Sequence, residues 1–400
     1  MRGLDEAPFV DVFSPDFSEA PAAVVDDLRA RSGVLRTPIG AMVIRRDLVG
    51  ELLSDRRLRS AVPDIVRLQG VTDGPIHDLI GDSLLAKEGA EHGRLRKLVN
   101  RSFTPRAVDP HRPVMRRTLG ALLAPLAERG EVELMAEVAD HYPIQVMCAL
   151  LGVPDEDHDR FTSWNKAITW VLSFELGSHL DEARWGVEQM DAYVTELIAR
   201  RRSEPEDDLV TDLVQAEEAG DRLSDGELRA LIGGLLFAGF DTTRNQLGLA
   251  MALFAERPDQ WATLVERPDL VVRAVDEVMR VAGAVSAAPR FTLEDVEVDG
   301  YCVPTGTLVV LSLASANHDP AAFADPGDVD ITAVRNPHHT LGGGPHYCLG
   351  ANLARAEMQE ALLQLTVVMP TFALGGEPTW RSPMGIYGPE TLPLRFPRPS

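Results

Sequence analysis

With 400 residues, 45% of them hydrophobic, the chain is long enough to bury a sizeable core. Its formal charge of −22 argues against a polyanionic partner. Nucleic acid and anionic membrane would both be repelled at long range, which leaves a small, neutral substrate as the expectation.

The first stretch, MRGLDEAPFVDVFSPDF, has neither a basic n-region nor an apolar h-region. Neither a signal peptide nor a membrane anchor is therefore expected, and the expected location is the cytoplasm. No repeat, low-complexity block or Gly/Ser-rich linker divides the chain, so a single domain over residues 1–400 is expected. From about Ser18 to Gly283 most segments carry helical periodicity, with breaks at TPRAVDPHRP, LGVPDEDH and RRRSEPEDD. Strands are expected at VLRTPIGAMVIRR, in VEVDGYCVPTGTLVVLSLASAN and at the closing TLPLRF. The predicted architecture is mainly α with small β-sheets.

Taken in chain order, the first segment of chemical interest is EHGRLRKLVNRSFTPR, Glu91 to Arg106, a basic run in an acidic protein. Next, Leu228 to Glu256 reads as one central helix, apolar on every side from Ala230 to Phe240. A membrane span needs roughly 18 or more apolar residues, and Asp241 and Arg244 interrupt this one too early. An aspartate in such a helix is costly unless it is paired or functional. Asp241 could pair with Arg244 at i+3, whereas Thr242 could donate to the carbonyl of Ala238 and, beside Gly239, bend the helix around a small cavity. An acid next to an alcohol beside a cavity can deliver protons. Further on, Glu277 and Arg280 stand three residues apart on one helix face.

The last cysteine lies in LGGGPHYCLG, Leu341 to Gly350, just before a helix expected over Ala351 to Met369. A helix amino terminus pushes a thiol toward thiolate. Gly342, Gly343 and Gly344 remove Cβ atoms that would keep something large and flat from lying against the loop. On these residues alone three readings stay open: a packed cysteine in a tight turn, a zinc site with His338, His339 and His346, or a thiolate ligand to haem iron.

LGGGPHYCLGANLAR, Leu341 to Arg355, resembles the haem-binding signature of the cytochrome P450 family. It matches at Gly342, Gly344, His346, Cys348, Gly350, Leu353, Ala354 and Arg355, and departs at Leu341, where an aromatic residue is usual. Together with AGFDTT, Glu277-Val-Met-Arg280, SANHDPAAFADP and TLPLRF, the resemblance covers about Ser83 to Phe396. It implies the cytochrome P450 fold and haem b, with Cys348 as the iron ligand. His92, Arg96, Arg290 and His346 would hold the haem propionates, with Gly342, Gly344 and Gly350 in the loop beneath. Asp241 and Thr242 would supply protons for oxygen cleavage, and Glu277 and Arg280 would brace the core below the haem. Cys148 is expected in the core and Cys302 in a strand.

The activity so implied is that of a monooxygenase, which uses O2 to insert one oxygen atom into a small organic substrate. No GxGxxG is placed between a strand and a helix for flavin or NAD, so a separate ferredoxin and its reductase are implied as electron donors. Arg94, Lys97 and Arg101 would face that donor. A peroxygenase of the same fold is one rival, although it would need neither Asp241 nor Thr242; a non-catalytic haem-thiolate sensor is another. The resemblance draws the substrate pocket from Pro63 to Leu84, Ser163 to His179, Gly234, Phe237 and Ala238, Ala284 to Ala288, and Met384 to Tyr387 with Ile386. That lining is mostly apolar, so a lipophilic substrate is expected.

Overall fold

The computed structural model describes residues 2–14, 17, 21–218, 223–382 and 385–398. Ser18, at the start of the expected helical region, and Met384, in an expected pocket loop, lie outside them. The helices that position the site are α1 (Arg46–Leu52), α2 (Gly89–Asn100), α3 (Tyr142–Leu151), α4 (Leu180–Ser203), α5 (Asp225–Glu256), α6 (Val271–Val281) and α7 (Ala351–Val368).

Helix α5 is the axis of the molecule, 32 residues long and therefore roughly 48 Å from end to end. It starts three residues before the expected Leu228 because Ser224 and Glu227 form a reciprocal cap. The Ser224 hydroxyl accepts from the Glu227 amide at 3.2 Å, and the Glu227 carboxylate accepts from the Ser224 amide at 2.8 Å. Helices α3, α4 and α7 pack around it. The approach of α3 depends on Gly239, where a Cβ would come within 2.6 Å of Met147. The large apolar side chains of α5 join one apolar core with those of the neighbouring helices. Among the described residues no helix is long and apolar enough to cross a membrane.

The segment VLRTPIGAMVIRR folds as a hairpin, β1 (Val34–Thr37) and β2 (Gly40–Val43), with Pro38 and Ile39 at the turn. It joins β3 (Leu58–Ser60), β4 (Ala287–Thr292) and β5 (Leu308–Ser312) in the order β1-β2-β5-β4-β3. The β2–β5 pair is parallel and the others are antiparallel. This sheet covers a second, smaller apolar core. Strands β3 and β4 carry weak local signals, one being three residues long and the other containing Pro289. Their pairing matters for the site, since it sets Ser60 opposite Arg290. Of TLPLRF, Pro393–Arg395 pairs with Glu131–Glu133 and with Ala373–Leu374. A last ribbon joins β6 (Thr379–Trp380) to β7 (Pro389–Thr391). Cys148 is fully buried in the helical core and Cys302 lies in the strand Tyr301–Val303, as expected.

Candidate active site

The cysteine loop is a tight turn held by its own backbone. The amide of Cys348 donates to the carbonyl of Leu341 at 2.8 Å, and that of Gly342 to His339 at 2.7 Å. Two of the glycines are needed by the turn itself. Gly342 and Gly344 have φ of +73° and +62°, and a Cβ on Gly344 would lie 2.3 Å from the carbonyl oxygen of Leu53. Gly343 likewise meets the Leu53 side chain, so the loop packs on the end of α1. Gly350 alone of the four faces open space.

Cys348 precedes α7 by three residues and stays partly exposed. Burial by surrounding protein pushes the Cys348 thiol up, and the Gly350 amide, Arg96 and Arg355 only partly offset this. The helix terminus therefore does not by itself make the thiolate; a metal that displaces the proton would. Two of the three histidines considered for zinc, His338 and His346, turn elsewhere. His338 faces Asp276 at 3.4 Å and His346 faces Glu88 at 3.1 Å, and among the described residues no three His, Cys, Asp or Glu are gathered to hold a metal ion.

On α5 most side chains are buried, yet Ala238 is exposed and Gly234 and Thr242 are partly exposed. These residues repeat every four positions and form one stripe, so a void lies against the middle of the helix. Phe237, expected to line the pocket, turns about 100° away from Ala238 and is buried in the helical core. Ile386, also expected to line the pocket, forms an isolated antiparallel bridge with Val285, just before β4. Thr242 Oγ1 donates to the Ala238 carbonyl at 2.9 Å, as expected. Gly239, however, is filled by Met147 on its open side and serves packing.

Asp241, 2% exposed, does not pair with Arg244. Arg244 turns to Asp140 at 2.6 Å, while Asp241 Oδ1 accepts from Arg381 Nη1 at 2.7 Å and from Asn245 Nδ2 at 3.0 Å. Arg381 carries no signal in the sequence, standing 140 residues from Asp241.

A third group surrounds Glu88, at the amino-terminal cap of α2. His346 Nε2 lies 3.1 Å from its carboxylate, the His92 and His346 rings are 4.4 Å apart, and the Ser60 amide donates to Glu88 at 2.6 Å. Arg96 reaches the carbonyls of Pro345 and Tyr347 at 3.1 and 2.6 Å, tying α2 to the cysteine loop. Burial holds His92, Arg96 and Arg290 below their usual values. Although burial opposes it, the bonds from His346 and Ser60 hold Glu88 below the usual carboxylate range. His92, Arg96, Arg290 and His346 are thus brought together, with a carboxylate among them that sequence reasoning missed.

Below the loop, Arg280 Nε and Nη2 donate to both oxygens of Glu277 at 2.8 and 2.9 Å. Arg280 also donates to the carbonyls of Asn317, Pro326 and Asp328, at 3.1, 2.7 and 2.8 Å. The pair clamps the irregular chain that leads to the cysteine loop. In the basic run, Arg94 is turned to Glu227, and Arg101 lies 3.4 Å from Asp212. Lys97 has no ion-pair partner among the described residues. The expected cationic face is therefore reduced by pairing at two of its three members.

A thiol at a helix start, a void against a buried helix, an acid and alcohol beside it and a cluster of basic side chains are now established. A family model for cytochrome P450 matches residues 72–366. The chain belongs to the cytochrome P450 family. It is 39% identical over 397 residues to luteothin monooxygenase of Streptomyces thioluteus, covering 98% of this chain and 96% of that one. It is also 39% identical over 323 residues to mycinamicin IV hydroxylase/epoxidase of Micromonospora griseorubida, covering 79% and 80%. The solved structure of CalO2 matches with a TM-score of 0.91 at 28% identity, covering 97% of this chain and 99% of that one.

This P450 is a haem-thiolate monooxygenase acting on O2 and an organic substrate. Its own residues fit the cofactor. The stripe from Gly234 to Thr242 leaves a void where a buried helix should have neighbours, and Cys348 offers a thiol. His92, Arg96, Arg290 and His346 present more hydrogen-bond donors than Glu88 alone can satisfy, two of them guanidinium cations, which suits the two propionates of a haem.

Proposed function

We propose that Cys348 is the axial ligand of a haem b whose propionates are held by His92, Arg96, Arg290 and His346. The observation that carries this reading is the open stripe Gly234, Ala238 and Thr242 on an otherwise buried helix, with Asp241 next to it. When bound, the haem supplies oxygen binding and, through its thiolate ligand, the electron density that favours O–O cleavage. The Thr242 hydroxyl donates to Ala238, so its oxygen lone pairs remain to accept a hydrogen bond and hold a water beside the void. Asp241, one residue earlier, passes protons to that water. A peroxide-driven reaction would leave both residues without a task.

The substrate is a lipophilic organic molecule. Ala238, Gly234 and Ile386 present apolar atoms to it, and relatives are named for luteothin and mycinamicin IV. Electrons come from a ferredoxin with its reductase in the cytoplasm, docking near Lys97. The test of the proton reading is Thr242→Ala. Haem content and substrate-induced spectral shifts should stay nearly intact while oxygen consumption is diverted to hydrogen peroxide. Unchanged product per reducing equivalent would remove the alcohol from the mechanism.

A further inference from the structure

The helix His158–Ile168 packs on α5 and ends in the turn Thr169–Leu172, where one buried hydroxyl is left over. Thr162, in the same helix, satisfies its hydroxyl on the His158 carbonyl at 3.1 Å, four residues back. Thr169 does not. Its Oγ1 is buried and meets no hydrogen-bond partner among the described residues. An unpaired buried hydroxyl is costly, so its position points to a partner from outside the fold.

Thr169 lines a cavity of about 40 Å³ together with Trp170, Leu172, Ser173, Arg381 and Ile386. One water-sized group needs about 10–15 Å³, so the space admits a carbonyl carbon with its oxygen. Asp241 also borders it, which places the cavity beside the part of α5 where Thr242 faces the void. Ser173 is a second donor. Its Oγ accepts from the Glu175 amide at 3.0 Å, which leaves its own proton to give, and its carbonyl is held by the Gln69 side-chain amide at 3.0 Å. The cation on the wall is matched, since Arg381 meets Asp241 at 2.7 Å. The exposed Glu175 and Glu390, also on the wall, would repel an anion. What the cavity offers is therefore a pair of hydroxyl donors for an uncharged acceptor oxygen.

We propose that this cavity is a polar subsite of the substrate pocket, which takes an uncharged ketone, ester or lactone oxygen of an otherwise lipophilic substrate, and that Thr169 determines this specificity. The inference rests on the reading of the void against α5 as a lipophilic substrate pocket. An apolar group in the cavity leaves the Thr169 hydroxyl unpaired, whereas a carbonyl oxygen accepts from Thr169 and Ser173 together. The hydrocarbon part of the substrate lies against Gly234 and Ala238. Apolar contact has no direction of its own, so the bond to Thr169 sets which end of the substrate approaches Thr242.

The test uses cyclododecanone and cyclododecane, which share a ring and differ in one carbonyl, as probes of the haem-loaded wild type, Thr169→Val, Thr169→Ser and Ser173→Ala. The readout is the spectral dissociation constant of each probe. Thr169→Val keeps the shape of the side chain and lacks the hydroxyl. It should weaken binding of the ketone about tenfold, the worth of one uncharged hydrogen bond, and leave that of the hydrocarbon unchanged. Thr169→Ser should bind both probes as the wild type does, and Ser173→Ala should weaken the ketone by a smaller factor. If Thr169→Val leaves both constants unchanged, as a cavity that holds only water would, the subsite is overturned. Equal weakening of both probes overturns it too, since the residue then shapes the pocket without reading the oxygen. In either case binding of cyclododecane to the wild type upholds the lipophilic pocket. Failure of both probes to shift the wild-type spectrum overturns that reading, and the subsite with it. If Thr169→Val takes up no haem, Ser173→Ala decides by the same criterion.

Discussion

Replacing Arg280 by methionine removes the most heavily bonded buried cation below the cysteine loop. The substitution deletes two hydrogen bonds to Glu277 and three to the carbonyls of Asn317, Pro326 and Asp328, and strands the Glu277 carboxylate in the core. Removing one partner of a buried pair costs about 3–5 kcal/mol, a large part of the ~5–15 kcal/mol that holds a typical protein folded. The strain is partly relieved at Glu277, which keeps the Asp330 amide at 3.1 Å and Arg335 at 3.5 Å. Glu277→Gln should cost less, because Arg280 retains its three carbonyls. The assay is denaturant unfolding of the haem-loaded protein, followed at the haem and by circular dichroism. Arg280→Met should lose about 3–5 kcal/mol and release haem at lower denaturant. The double variant should be less than additive. A loss under about 1 kcal/mol, the size of one ordinary hydrogen bond, would refute the clamp.

Two further predictions concern pH and docking. Burial, Arg46 and His338 together hold His339 down at about 4. The unfolded chain, with histidine near 6.5, therefore binds the extra proton first, and stability contributed by neutral His339 should be lost as pH falls from about 6.5 toward 4. Melting temperature against pH should show this loss, and His339→Gln should flatten it; an identical slope in the variant would contradict the assignment. Lys97→Ala should slow reduction by ferredoxin more at low than at high salt. An equal loss at every ionic strength would point to haem damage.

The chain's own pattern disclosed the parts of the site that are local. Asp241 and Thr242 are conspicuous because they interrupt an apolar helix, and the Thr242 to Ala238 bond follows from a spacing of four. Cys348 stands out in its glycine-rich loop. What stayed hidden is what the fold brings from far away. Arg381 reaches Asp241 across 140 residues and Glu88 reaches His346 across 258; neither distance leaves a periodic trace. The same remoteness explains why a pair with Arg244 stayed open in the sequence, since i+3 spacing permits it but Asp140 offers Arg244 a buried partner on a neighbouring element. The approach of Leu53 to Gly343 and Gly344 was equally hidden, because Leu53 follows α1, far from the loop in sequence. Strands β3 and β4 were missed for want of length and because of a proline, although their pairing delivers Arg290 to the cluster.

The central claim is that Cys348 ligates the haem, and the absorption spectrum of the reduced, carbon-monoxide-bound protein tests it most directly. The wild type should show the strongly red-shifted band that thiolate ligation gives. Cys348→His should load haem and lose that band, while Cys148→Ala and Cys302→Ala should keep it. Survival of the band in Cys348→His, or its loss in folded, haem-loaded Cys148→Ala or Cys302→Ala, would contradict the account.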